Sequence, residues 1–216
     1  MYWQEEVEAG QFAVPDDVID LAFAITCRTL PVDHAQALYD AVSAVLPWLA
    51  DEPEAGIHAI HGVESGNGWE RPDDMLMLSR RTRLVLRLPK ARAEAARALS
   101  GQVLDVGGHA MEVGEGKPRL LSKTTTLYAR YVSFGNACSE EAFLAACASA
   151  LRERGITAKK ILCGKTRVLH TDDGPLETRS LMVADLSFED SVRLQERGIG
   201  GYRRMGCGLF IAHKSV

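Results

Sequence analysis

Five glycines and two arginines crowd one short run near the C-terminus: Gly198, Gly200, Gly201, Gly206 and Gly208 surround Arg203 and Arg204. Glycine permits positive φ and lets a backbone come close to a ligand. Exposed N–H groups and guanidinium forks suit phosphate oxygens. The run is not a dinucleotide-binding fingerprint. A G-x-G-x-x-G spacing needs glycine where Arg203 stands and a helix afterwards, whereas here a strand is expected. A flexible hairpin ahead of an edge strand explains the same residues equally well.

Histidines are the second group able to do chemistry. His34 follows Asp33 at the start of a predicted helix, and His58 and His61 lie in Gly56-Ile-His-Ala-Ile-His-Gly. Imidazole titrates near neutrality and suits proton transfer without a metal. On a strand His58 and His61 point to opposite faces, so they are poor joint ligands, and no metal or other cofactor is expected. Each histidine taken singly is more often structural than catalytic. His109, His170 and His213 have no suggestive neighbours and read as surface or terminal polar groups. The third group is basic: Arg80, Arg81, Arg83 and Arg87 lie ahead of Lys90 and Arg92. On a strand Arg81, Arg83 and Arg87 share a face opposite Leu84, Leu86 and Leu88, and charge alone suggests only a solvated strand face. Lys159, Lys160, Lys165 and Arg167 form a weaker cluster.

The bulk numbers constrain what such residues can serve. The chain has 216 residues, 46% hydrophobic, with net charge −4. That charge argues weakly against a nucleic-acid partner, but its distribution is uneven. Glu5, Glu6, Glu8, Asp16, Asp17 and Asp20 crowd the first stretch, while Arg80 to Arg97 holds a single acid, Glu94. Local fields steer association, so the distribution outweighs the sum. The five cysteines, Cys27, Cys138, Cys147, Cys163 and Cys207, include no C-x-x-C pair, which argues for reduced thiols and against zinc. No apolar run has membrane-spanning length, and the acidic start is unlike a secretion signal, so cytoplasm is the expected location. Phe, Tyr and Trp together number only 14, without an RNA-recognition signature. If RNA is bound, a structured one gripped through its phosphates is expected, with little base stacking.

Periodicity and punctuation supply the scaffold. Val18–Thr29 reads as a strand. Asp33 caps a helix to about Leu46, followed by a short strand over 56–63. Residues 64–74 are turn chemistry. Strands follow over 75–79 and 82–88, then a helix from Pro89 to Leu99 and a hairpin around Gly107 and Gly108. The second half repeats the order: a strand over 124–134, a helix from the Ser139 cap to the Gly155 stop, a hairpin around Asp172–Pro175, a helix over 188–197 and a closing strand. Each half reads β-α-β-β-α-β. The expected class is therefore α+β, with two tandem ferredoxin-like domains, 1–116 and 117–216, and a C-terminal glycine-rich loop. The boundary falls in the Gly- and Pro-containing stretch Gly114–Ser122.

Taken together, this architecture and the segments Leu30-Pro-Val-Asp-His-Ala-Gln-Ala-Leu-Tyr, Gly56-Ile-His-Ala-Ile and Arg81-Thr-Arg-Leu-Val-Leu-Arg-Leu-Pro resemble a known family. It is the pre-crRNA processing endoribonucleases of CRISPR systems, the Cas-six family in its myxobacterial-type branch, within the repeat-associated RNA-binding superfamily. The resemblance runs from about Asp20 to Lys214. It implies metal-independent cleavage of a CRISPR repeat RNA hairpin. The ribose 2′-OH is the nucleophile, and the products are a 2′,3′-cyclic phosphate and a 5′-OH. It maps His34 and His58 as acid and base, with His61 as third choice, Tyr39 as an orienting group, and Arg203 and Arg204 as phosphate holders. RNA would lie partly along Arg80, Arg81, Arg83 and Arg87 and against the glycines of the C-terminal loop. It further implies partnership with other CRISPR-associated proteins in a surveillance complex. Two other functions fit the same residues: a catalytically inactive RNA-binding subunit of a CRISPR complex, and a ferredoxin-like small-molecule binding domain.

Overall fold

The computed structural model describes residues 12–62, 74–135 and 139–213. Glu5, Glu6, Glu8, Cys138, Lys214 and all but Asp74 of the turn expected over residues 64–74 lie outside the described residues. The first half contains β1 (Val18–Thr26), β2 (Thr29–Pro31), α1 (Ala35–Val45), β3 (Gly56–Ile57), β4 (Met75–Met77), β5 (Arg83–Pro89), α2 (Ala93–Ala96), β6 (Val103–Val106) and β7 (His109–Arg119). Five of these strands form a sheet in the order β3-β5-β1-β7-β6, and β2 pairs with β4. Strand alternation sends Leu21, Phe23 and Ile25 of β1 and Leu84, Leu86 and Leu88 of β5 to one face. Leu38 and Val42 of α1 join them in one buried cluster.

Three local expectations change. Asp33 does not cap α1: the N-cap residue is His34 and no side chain caps the helix. Instead the Asp33 carboxylate accepts from the His170 backbone N–H at 2.9 Å and lies 2.6 Å from its ring Nδ1. The helix expected over Pro89–Leu99 is four residues of α2 between two 3₁₀ turns. The linker expected over Gly114–Ser122 is strand as far as Arg119, because Lys117, Pro118 and Arg119 stay in register with Ala22, Leu21 and Asp20. The boundary placed between residues 116 and 117 therefore falls inside β7.

The second half contains β8 (Leu127–Val132), α3 (Glu140–Glu153), β9 (Lys160–Thr171), β10 (Gly174–Ala184), α4 (Phe188–Arg197) and β11 (Ile211–Ala212). The sheet order is β11-β8-β10-β9, with every neighbouring pair antiparallel. Ser139 Oγ accepts from Ala142 N–H at 3.2 Å and Ser187 Oγ from Asp190 N–H at 3.0 Å, so both helices start on hydroxyl caps. Phe143, Cys147 and Leu151 of α3 and Leu194 of α4 bury against Leu127, Ala129, Leu181 and Val183. Among the described residues no helix is long and apolar enough to cross a membrane, and Cys27, Cys163 and Cys207 are free thiols.

The halves are joined by apolar packing and by buried charge. Ala35 of α1 shares a buried cluster with Tyr131, Leu169, Leu176 and Cys207 of the second half. Arg87, expected on a solvated face, is only 1% exposed. Its Nε and Nη2 each donate to an Asp20 carboxylate oxygen at 2.8 Å, and its Nη1 donates to Gln195 O at 3.0 Å and Phe210 O at 2.7 Å. Alternation along β5 sets Arg87 on the face opposite Leu84, Leu86 and Leu88, and the second half packs onto that face at this point.

Candidate functional site

The segment after β3 decides the site. The strand ends at Ile57, not near residue 63, because its neighbours pull the next residues out of extended pairing. His58 N–H still donates to Val85 O at 2.9 Å, but Ile60 N–H donates to the Nε2 of His34 at 3.1 Å. The expected separation of His58 and His61 onto opposite faces therefore fails. Both line one cleft of about 210 Å³ between the halves, with Tyr128, Arg130 and His213 on the opposite wall. A smaller hollow of about 30 Å³ shares His61 and Arg130 and adds Tyr131 and Arg167.

The glycine-rich loop builds this cleft from below. A Cβ on Gly56 would lie 2.8 Å from Leu209 Cδ2 and 2.9 Å from Arg203 Cγ, so glycine there lets the loop seat on β3. Gly206 has φ +85, and a Cβ on it would lie 3.1 Å from Ala59 N and 3.2 Å from Ile57 O. The close backbone approach that glycines promised is thus made to the histidine segment. The N–H groups of Gly198, Gly201, Gly206 and Gly208 are spent on Leu194, Ser133, Arg203 and Tyr131 carbonyls, which leaves them unavailable to phosphate in this conformation. Arg203 points inward. Its Nε donates to Glu54 O at 3.0 Å and its Nη2 to the carbonyls of Glu196 and Gln195, neutralising the C-terminal end of α4. Burial, then repulsion from Arg87, lowers its pKa to about 9, so it stays cationic at neutral pH. Arg204 is half-buried on the same turn.

The other sequence candidates fall elsewhere. His34 is 3% exposed and both its nitrogens are engaged. Nδ1 lies 2.9 Å from the Pro31 carbonyl, which can only accept, and Nε2 faces the Ile60 N–H, which can only donate. This fixes the neutral Nδ1–H tautomer and leaves no lone pair for substrate. Tyr39 is five residues on, about 140° round the helix, and packs half-buried against the first core. Arg80 and Arg81 are exposed on the turn before β5. Arg83 folds back, its Nη1 donating to Arg80 O at 3.0 Å and Thr82 O at 2.8 Å. The neighbouring basic residues are largely offset: Lys90 pairs with Asp16, Arg92 with Glu52 and Arg97 with Glu94. The cleft residues Tyr128, Arg130 and His213 were not singled out by sequence. Strand alternation in β8 puts Tyr128 and Arg130 on one face, but nothing local says that this face meets the histidines.

The electrostatics distinguish the three imidazoles. Loss of hydration lowers His34. Burial also lowers His58, whose Nε2 lies 3.5 Å from Asp20 Oδ1; Asp20 opposes the shift, and Arg87 and Arg203 reinforce it. His61 keeps a face open to solvent while its ring sits in the crowded cleft wall. Desolvation lowers it first, and Arg130, His34, His58 and Arg167 all push the same way. All three are therefore neutral at pH 7. Burial alone would raise the Asp20 carboxyl, but Arg87 and His58 outweigh it and hold the group well below the usual carboxylate range.

A depressed imidazole pKa has a fixed sign in stability. The unfolded chain takes up protons near pH 6.5 while folded His34 and His58 resist, so stability falls as pH drops below about 6.5. His34→Ala should cost about 2–4 kcal/mol, because it orphans the Pro31 carbonyl and the Ile60 N–H. Thermal unfolding across pH 5–8 checks both: the wild-type melting temperature falls on the acid side, and the variant is lower throughout with a shallower acid slope.

The Cas6 family model (Cas6 Crispr) matches residues 19–215. The CRISPR-associated endonuclease Cas6 of Myxococcus xanthus (strain DK1622) is 33% identical over 193 residues, spanning 89% of this chain and 80% of that protein. A Cas6-related protein from Pyrococcus furiosus has the same fold at TM-score 0.61 and 13% identity, over 89% of this chain and 97% of that one. Thermus thermophilus Cse3, solved with an RNA representing a pre-cleavage complex, gives TM-score 0.51 at 15% identity, over 90% of this chain and 98% of that one. The α+β architecture is thus of Cas6 type, and the match over nearly the whole sequence assigns the chain itself: it belongs to the Cas6 family.

Proposed function

We propose that this protein is an endoribonuclease that cuts CRISPR repeat RNA without a metal, by attack of a ribose 2′-OH on the adjacent phosphorus. The observation that carries the reading is the composition of the cleft. The imidazoles of His58 and His61 and the Arg130 guanidinium converge there, Arg167 lines the adjoining hollow, and the neighbours that lower His61 beyond desolvation are all imidazoles or guanidinium groups. Such a set accepts a phosphodiester and supplies a base beside it. His58 takes the 2′-OH proton, the 2′-O–P bond forms, the P–O5′ bond breaks, and O5′ leaves with a proton taken from water, while the His58 imidazolium returns its proton to solvent. The products are a 2′,3′-cyclic phosphate and a 5′-OH. Arg130 and Arg167 hold the phosphate as its charge develops. His61, kept neutral, donates an N–H to an equatorial oxygen, a role that a depressed imidazole pKa favours.

The scaffold in this reading is a pair of ferredoxin-like domains dividing after β7, with the loop from Gly198 to Gly208 as the superfamily's glycine-rich loop. Counted within its half, the second sheet runs 4-1-3-2, and β7-β1-β5-β3 repeats that order with β6 added at the edge. The M. xanthus relative is named an endonuclease and the T. thermophilus structure carries RNA, which supports an RNA hairpin substrate. Retention of the cut hairpin and entry into a complex with other CRISPR-associated proteins complete the proposal.

The test uses end-labelled repeat RNA with excess EDTA, beside the same RNA carrying one 2′-deoxy at the cut site. The expected result is cleavage of the first and binding without cleavage of the second. Cleavage that EDTA abolishes would remove the metal-free mechanism. Tight binding with no cleavage of either RNA would indicate an inactive subunit, and absence of binding would overturn the RNA reading.

A further inference from the structure

The mechanism above leaves unused a half-buried carboxylate beside His58, that of Asp20. Asp20 stands directly opposite Arg87 in the β1–β5 register. The Asp20 side chain is 19% exposed and that of His58 15%. Both Asp20 oxygens accept from the Arg87 guanidinium, which is itself fixed to two carbonyls of the second half. The carboxylate therefore has one place and one charge state, and can only accept hydrogen bonds. The His58 Nε2 that faces Oδ1 at 3.5 Å is buried and has no other hydrogen-bond partner. That distance is longer than a formed hydrogen bond and within the range that tightens when substrate seats in an apo site.

We infer that Asp20 is the positioning residue for His58: its carboxylate holds the proton on Nε2 and leaves Nδ1 as the lone pair that meets the RNA. Arg87 acts one step further back, keeping that carboxylate ionised and in place. The inference rests on the reading of His58 as the base. It explains why a charged pair lies at the joint of the halves: the second half, through Gln195 and Phe210, fixes the acid that orients the base in the first. The groups facing His58 are Asp20 on β1, Arg87 on β5, Arg203 on the loop, His61 on the same wall of the cleft, and Tyr128, Arg130 and His213 across it. Asp20 alone among them favours the imidazolium, so it also sets how readily His58 accepts a proton. Removing its charge lowers the His58 pKa further and frees the tautomer.

The experiment follows ¹⁵N-histidine imidazole resonances through a pH titration of the unmutated protein, with His58 assigned by its loss in His58→Ala. The expected spectrum is the Nε2–H tautomer at neutral pH, and an Nδ1–H tautomer there would overturn the inference without any variant having to fold. Asp20→Asn should then mix the two tautomers, move the acid limb of the single-turnover pH profile to lower pH, and slow cleavage roughly 10²-fold or more. Unchanged tautomer and rate in Asp20→Asn would also overturn it. The two readings fail separately: cleavage that survives in His58→Ala removes His58 as the base, while the tautomer measurement still decides what Asp20 does.

Discussion

His58→Ala should cut the single-turnover cleavage rate about 10²–10⁴-fold, the usual contribution of a positioned acid or base, while leaving RNA affinity within about threefold, since phosphate contacts dominate affinity. The expectation comes from position. His58 is the one imidazole that combines a wall of the cleft with a carboxylate behind it. His34 has both nitrogens engaged in the protein. His61 lies among guanidinium groups that disfavour its protonation. Little fold stability should be lost, because the His58 ring makes no hydrogen bond of its own beyond the Asp20 approach. Rates under saturating enzyme, with filter binding on a 2′-deoxy RNA, separate chemistry from affinity. A His58→Ala protein that cleaves at the wild-type rate would remove this residue from the mechanism.

Arg87→Met should destabilise the fold by about 3–5 kcal/mol, the cost of breaking a buried ion pair by removing one partner. For a chain of this size that corresponds to roughly 6–20 °C in melting temperature. The loss has three parts. Asp20 keeps its burial and loses the cation that holds it ionised. The Gln195 and Phe210 carbonyls lose their donors. The joint between the halves also loses a connection that methionine cannot make. Arg87→Lys should recover only part, because one ammonium cannot reproduce a bidentate fork and two further donations. Urea unfolding of the three proteins checks the order wild type, Lys, Met. Equal stability would mean that apolar packing, and not this arginine, joins the halves. Because Asp20 loses its anchor, the variant should also cleave slowly at temperatures where it remains folded.

Much of the scaffold was legible along the chain. The 3.6-residue stripe of α1, the Ser139 and Gly155 bounds of α3, helix α4 and the Gly107–Gly108 turn all appear where local chemistry puts them. The alternation of Leu84, Leu86 and Leu88 named a core face that is fully buried. These features depend on residues within a few positions of one another, and short-range sterics and hydrogen bonds decide them. Boundaries slipped where a distant partner intervened. Asp33 looks like a cap until His170, 137 positions away, takes its carboxylate.

The sequence by itself determined which residue types are capable of such chemistry, namely histidines in a short glycine-bounded segment and arginines near a flexible loop. Only the tertiary structure decided where each of them sits and what it touches. Arg87 is the same residue type as Arg81, yet it meets Asp20 at a separation of 67 positions and Phe210 at 123. Such pairings depend on strand register and on the packing of one half against the other, which no local pattern records. His58 and His61 share a cleft because their segment leaves the sheet at Ile57, drawn away by His34 and by the loop at Gly206. The glycines kept their predicted property of close backbone approach, and the fold chose the partner: the segment that carries His58 and His61.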